Sequence, residues 1–206
     1  MSADRFGRHD ADDQFMVAAA KLAYDLALPT ESAGGNVLAM PGREEAWVRR
    51  LFERAVGGLY AVVLSPLGWH VRCGATLQRE ISSKTDGIDD ILPAMRTDVV
   101  LDHGGSGRRI VIDTKFTSIV TAGWYREQSL RSGYIYQMYA YLRSQVGCGD
   151  PLADSASGLM VHPSVGTMID ETVVIQGHPL RFATVDLAAK PADIRAQLLR
   201  CFEVSC

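Results

Sequence analysis

Apolar residues recur along the chain in two periods. From 14 to 28, Phe15, Ala18, Leu22, Leu26 and the alanines between them form a helical stripe that stops at Pro29. Gly34-Gly35 then marks a loop. A second stripe over 43–63 sets Trp47, Leu51, Phe52, Ala55, Leu59 and Val62 on one broad face. Glu44, Arg49, Glu53 and Arg54 mark its wetter side. Gly57-Gly58 is expected to weaken this helix in its middle, and Ser65-Pro66-Leu67-Gly68 ends it. Alternation predicts a strand over 69–81, then a loop over 82–93. Two β-branched runs follow, Arg96-Thr97-Asp98-Val99-Val100-Leu101 and Ile110-Val111-Ile112-Asp113-Thr114-Lys115. Each has the pattern of a buried strand. The Gly-rich segment Asp102-His103-Gly104-Gly105-Ser106-Gly107 supplies the hairpin turn between them.

Beyond a loop over 118–123, the pattern returns to helical over 127–145. Leu130, Tyr134, Gln137, Met138, Tyr141 and Leu142 share its apolar face. A Gly/Pro/Asp linker over 147–157 precedes a short strand at 158–161. Residues 171–187 form two strands around a Gln176-Gly177-His178 turn, and a last helix spans 193–204, with Pro191 near its start. This order predicts an α/β fold, a mixed central sheet with helices on both faces.

Composition narrows the function classes. At 206 residues and 47% apolar, the chain can bury one sizeable core. Residues 1–13 are charged and poor in apolar side chains, a pattern of a disordered lead. The net charge of −3 argues against tight, independent binding to nucleic acid, but not against a nuclease delivered by a partner. Cys73, Cys148, Cys201 and Cys206 form no CxxC pair and no zinc spacing, which fits free thiols in a reducing cytoplasm. No apolar run is long enough for a membrane span.

The candidate chemistry lies at the ends of the paired runs. Residues i and i+2 of a strand share a face, so Asp113 and Lys115 project together while Thr114 turns away. Asp98 lies on the neighbouring strand. Two carboxylates suit Mg²⁺, which takes oxygen ligands, and the Thr114 carbonyl could complete the shell. Lys115 could orient water or stabilise an anionic transition state. Gln137 and Tyr141, four apart, share a helix face and could brace the site. Isolated, Asp113-Thr114-Lys115 would more often be a solvated strand end. The apolar run before it, the acid on the preceding strand and the helix after it raise its weight. Other residues carry less. Glu80 could add an acid near the site, although a surface role is the commoner one. Asp86, Asp89 and Asp90 lack an EF-hand pattern. His70, His103, His162 and His178 are scattered and sit at no metal-ligand spacing. Arg126 and Arg131 flank the late helix and could touch phosphates.

With Thr97-Asp98, Ile112-Asp113-Thr114-Lys115-Phe116 and Tyr136-Gln137-Met138-Tyr139-Ala140-Tyr141 in this order, and Leu51-Phe52-Glu53 upstream, the chain resembles the PD-(D/E)xK nucleases. More narrowly it resembles the McrC family, the nuclease subunits of modified-cytosine-dependent McrBC restriction systems. The likeness covers about 43–145. It implies a restriction-endonuclease-like core over 43–206, preceded by a lead and helix over 1–42 that would be a remnant of a partner-binding region. It implies Mg²⁺, with Mn²⁺ as a substitute, held by Asp98, Asp113, the Thr114 carbonyl and Glu53. Lys115 would be the catalytic lysine, with Gln137 and Tyr141 supporting the site. The implied partners are DNA and a McrB-type AAA+ GTPase hexamer, and the implied activity is cleavage of modified DNA in the cytoplasm. The family's usual Pro before the first Asp is Thr97 here. Two other functions remain open on sequence: a stand-alone or repair nuclease of the same superfamily, and a non-catalytic scaffold with the same fold.

Overall fold

A computed structural model describes residues 42–121 and 128–202. The expected lead and helix over 1–41, the proposed partner-binding remnant and Arg126 lie outside these residues. The first described helix, α1 (Gly42–Leu64), runs unbroken through Gly57-Gly58. The glycine pair does not interrupt it, and Gly57 serves packing. A Cβ there would sit 2.8 Å from the Cys73 sulfur. Trp47 and Val62, expected on the buried face, are about half exposed. Leu51, Phe52, Ala55 and Leu59 are buried as expected, and Val48, Val56, Tyr60 and Leu64 complete the face. A 3₁₀ turn at Ser65–Leu67 and a left-handed Gly68 (φ 86°) end the helix.

Six strands form the main sheet in the order β1-β4-β5-β8-β10-β9. They are β1 (His70–Cys73), β4 (Val99–His103), β5 (Arg108–Thr114), β8 (Ser157–Pro163), β9 (Asp170–Ile175) and β10 (His178–Val185). β5–β8 and β8–β10 pair in parallel, and the other three pairs are antiparallel. The expected mixed α/β sheet is therefore the observed one. Helix α2 (Ser132–Arg143) lies in the crossover between parallel strands β5 and β8 and packs on one sheet face. Helices α1 and α4 (Pro191–Phe202) share the other face. A short α3 (Pro151–Asp154), opened by the Asp150 side chain accepting from the Leu152 N–H, occupies the expected linker.

Three elements depart most from the sequence pattern. The strand expected over 69–81 breaks at Gly74 (φ 65°). β1 joins the main sheet, while β2 (Thr76–Leu77) pairs with β3 (Met95–Arg96) in a separate ribbon. The run expected as one strand from Arg96 divides into β3 and β4, with a bend at Asp98. The helix expected over 127–145 begins only at Ser132, because Ser129–Leu130 (β7) pairs with Val120–Thr121 (β6).

The two sheet faces differ in content. Toward α1 and α4, Val99, Leu101, Ile110, Ile112, Leu159 and Val161 form a wholly apolar layer. Toward α2, Val111, Met160, Leu180 and Phe182 pack on Met138 and Leu142. The tightest approach there is Gly158, where a Cβ would lie 2.5 Å from Met138 Cγ. Among the described residues, no helix is long and apolar enough to cross a membrane.

Candidate active site

The β4–β5 hairpin and α2 bring the predicted residues together at one end of the sheet. Asp113 is the penultimate residue of β5, and its ladder partners place it in the middle of the sheet, beside Met160 of β8. It is 1% exposed. Gln137 Nε2 donates to its Oδ1 at 3.0 Å. The Lys115 ammonium lies 2.7 Å from its Oδ2, which takes no other hydrogen bond among the described residues. Burial pushes the Asp113 carboxyl up to about 6; Lys115 pulls it down, and Asp98 and Glu53 push it further up.

Asp98 stands at the bend before β4. Its Oδ2 accepts from both the Thr114 N–H at 2.6 Å and the Thr114 hydroxyl at 2.7 Å. Thr114 does turn away from Asp113 and Lys115, as strand alternation requires, but its side chain has a role the sequence did not show. It ties β5 to the bend and fixes Asp98 beside Asp113. The backbone of that bend is held in turn, since the Asp98 carbonyl accepts from Gly74 N–H at 2.7 Å.

Glu53 reaches the site from α1. Phe52 packs edge-on against Phe116 with ring centroids 5.7 Å apart. That contact seats the α1 turn carrying Glu53 beside the segment carrying Lys115. Burial raises the Glu53 pKa, Asp98 raises it further, and Arg96, Arg54 and Lys115 lower it. Glu80, by contrast, is exposed in the loop after β2. The break at Gly74 removes the continuous strand that would have carried it toward Asp98.

Gln137 and Tyr141 work as one brace. Gln137 Nε2 donates to the Tyr141 oxygen at 2.6 Å as well as to Asp113, and the Tyr141 hydroxyl donates to the Arg96 carbonyl at 2.8 Å. One helix thus grips both Asp113 and the strand entering the Asp98 bend. Burial, more than any other influence, raises the Tyr141 pKa, so the phenol stays a donor.

A second group at this end went unrecognised in the sequence. His162 is fully buried on β8. Its Nδ1 lies 2.9 Å from the Thr117 carbonyl. Its ring rests on Tyr134 at 5.2 Å between centroids. The Tyr134 hydroxyl pairs with the Thr117 hydroxyl at 2.8 Å, and the Lys115 ammonium sits 5.9 Å from the Tyr134 ring centroid. Burial lowers the His162 pKa to about 4, with Lys115 and Arg131 acting the same way. The histidine was one of several scattered along the chain. Only the parallel pairing of β5 with β8 sets it next to Lys115, and sequence periodicity carries no sign of that register.

The donor set fits a hard divalent cation. Among the described residues, no group of three or more His, Cys, Asp or Glu converges as a ready-made metal cage. Mg²⁺ uses one or two carboxylates and keeps several waters, so it needs no such cage. Asp98 and Asp113 would supply that pair. Asp113 Oδ2, buried and among the described residues served only by an ammonium, is the kind of under-satisfied acceptor that a cation would complete. No protein-family model matches the chain, and no curated protein matches it significantly.

Proposed function

We propose that the protein is a Mg²⁺-dependent nuclease that hydrolyses DNA phosphodiester bonds at Asp98, Asp113 and Lys115. One observation carries this: a buried carboxylate with a raised pKa, aligned by Gln137, faces a lysine at 2.7 Å and has a second carboxylate beside it, at the bend before β4. Asp98, Asp113, the Thr114 carbonyl and Glu53 would hold the metal, with Mn²⁺ as a substitute. The ion would supply neutralisation of phosphate charge and activation of water. Gln137 fixes the Asp113 carboxylate, and Tyr141 fixes Gln137. Thr114 fixes Asp98. Lys115 holds a positive charge where the scissile phosphate would lie, stabilising negative charge as it develops.

The finer role follows from the resemblance to McrC-type subunits. In it, the chain is a cytoplasmic cutting subunit delivered to modified DNA by a McrB-type AAA+ GTPase hexamer. The net charge of −3 supports delivery by a partner over independent DNA binding. The Asp113–Lys115 ion pair favours one rival, a non-catalytic scaffold, because such pairs can be purely structural. Against it, Gln137 and Tyr141 spend a whole helix turn orienting an acid that an apolar core would not need. Incubating plasmid DNA with Mg²⁺ and the protein, alone and with a candidate GTPase, tests both. Nicking by the wild type that is lost in folded Asp113→Ala and Lys115→Ala supports the nuclease. A GTP requirement supports the motor-driven role. Equal nicking by wild type and both variants contradicts the site.

A further inference from the structure

We propose that His162, together with Tyr134 and Thr117, is a positioning group that sets Lys115 against Asp113. It deepens the nuclease function above. A carbonyl can only accept, so the His162 Nδ1 facing Thr117 carries the proton. That leaves Nε2 without a proton, and it is buried with no hydrogen-bond partner among the described residues. Leaving a buried acceptor unsatisfied carries a desolvation cost. An apolar side chain in this packed spot would avoid the cost, so packing alone does not explain a histidine here.

The hydrogen bonds show what the histidine does. Consecutive residues of β8 hold the chain on both sides of Phe116. The Val161 carbonyl accepts from the Lys115 N–H at 3.0 Å, and the His162 ring N–H holds the Thr117 carbonyl. Thr117 also bonds Tyr134 through its hydroxyl, and the Tyr134 ring packs on the His162 ring. Three residues from β8, the segment after β5 and α2 thereby close a triangle. One side of it, the Tyr134 ring, is the surface against which the Lys115 ammonium rests. The lysine stem is flexible. The triangle fixes its backbone root and supplies a wall for its head, leaving the ammonium on Asp113. Helix α2 thus acts on both members of the pair, Gln137 on the carboxylate and Tyr134 on the ammonium.

The test uses the full chain, which has four lysines, with ¹³C-labelled lysine and Lys115→Arg to assign the signal. Packing on the Tyr134 ring shifts the Lys115 ε-methylene protons upfield of the other lysines. His162→Leu keeps the volume but removes the bond to Thr117, and it should move that resonance toward the others. His162→Asn restores an N–H near Nδ1 and should bring the shift back. Tyr134→Phe, which retains the ring and loses only the Thr117 bond, should give a smaller movement in the same direction and serves if His162→Leu does not fold. In DNA cleavage, His162→Leu should lower kcat about ten- to hundredfold at little change in KM, with recovery in His162→Asn. A Lys115 resonance unmoved by both His162→Leu and Tyr134→Phe overturns the positioning role. A resonance that moves as stated upholds it even if no form of the protein cuts DNA; that result would refute the nuclease function alone.

Discussion

The two ends of the β4–β5 hairpin hold acids in opposite conditions. At the closed end, Asp102 accepts from Arg109 Nε at 2.6 Å and from Arg72 Nη2 at 2.9 Å, and Arg109 also reaches Asp150 at 2.6 Å. These arginines outweigh burial and lower the Asp102 pKa. At the open end, Asp113, Asp98 and Glu53 gather around Lys115, and both Asp113 and Glu53 have raised pKa values. One strand pair thus carries a neutralised acid that pins a turn and, several residues away, an acid held against its own charge. Acids with pKa values raised in this way concentrate at functional sites. Acid count alone would not separate the two ends; the balance of cations does.

The sharpest way to break this comparison is to remove Asp113. Asp113→Ala should lower DNA cleavage by at least about a thousandfold, as expected for loss of a group acting in the transition state, while circular dichroism stays that of a folded protein. The matching change at the closed end, Asp102→Ala, should leave cleavage by the folded protein within a few-fold of wild type.

The pH dependence of stability should have opposite sign at the two ends. Asp113 has a folded pKa of about 6 against an ordinary value of 3.8. Its protonated form favours the folded state, so its contribution is greatest below pH 4 and is lost as pH rises through 6. At about 1.4 kcal/mol per pH unit, the loss is about 3 kcal/mol. Asp113→Asn should therefore gain stability over wild type across pH 4–6 in urea unfolding. The difference between the two proteins isolates this effect, because His162, with its pKa lowered to about 4, titrates with opposite sign over the same range. Asp102 behaves conversely. Its contribution is present above the ordinary carboxylate pKa and is lost as pH falls below it.

Smaller effects sharpen the closed end. Arg109→Ala strips Asp102 of its two-pronged partner, both side chains being about 15% exposed, and should cost about 2 kcal/mol in urea unfolding. Arg72→Ala removes a cation that is 39% exposed and should cost only about 0.5 kcal/mol, with most of that gone at 1 M salt.

Most of the sheet was legible because its strands are β-branched runs bounded by glycine, and the site acids sit at their ends. Spacing alone placed Asp113 and Lys115 on one face, and helical periodicity placed Gln137 with Tyr141. What sequence did not show depends on approach in space. Gly57 reads as a helix breaker until Cys73 is seen against it. Thr114 reads as a residue pointing away until the Asp98 bend lies across from it. The strand over 69–81 hides its break because Gly74 changes strand pairing without disturbing the polar alternation. His162 has no local signal at all, since its partners come from a parallel neighbour and a crossover helix.

Calorimetric titration of Mn²⁺ into wild type and Asp113→Asn, each with a short DNA duplex present, tests the central claim most directly. The account predicts a binding heat in the wild type that is abolished in the variant, because the buried carboxylate at the open end is what a cation would complete. Equal heats in both proteins, or none in either, would contradict a metal centre at Asp98 and Asp113.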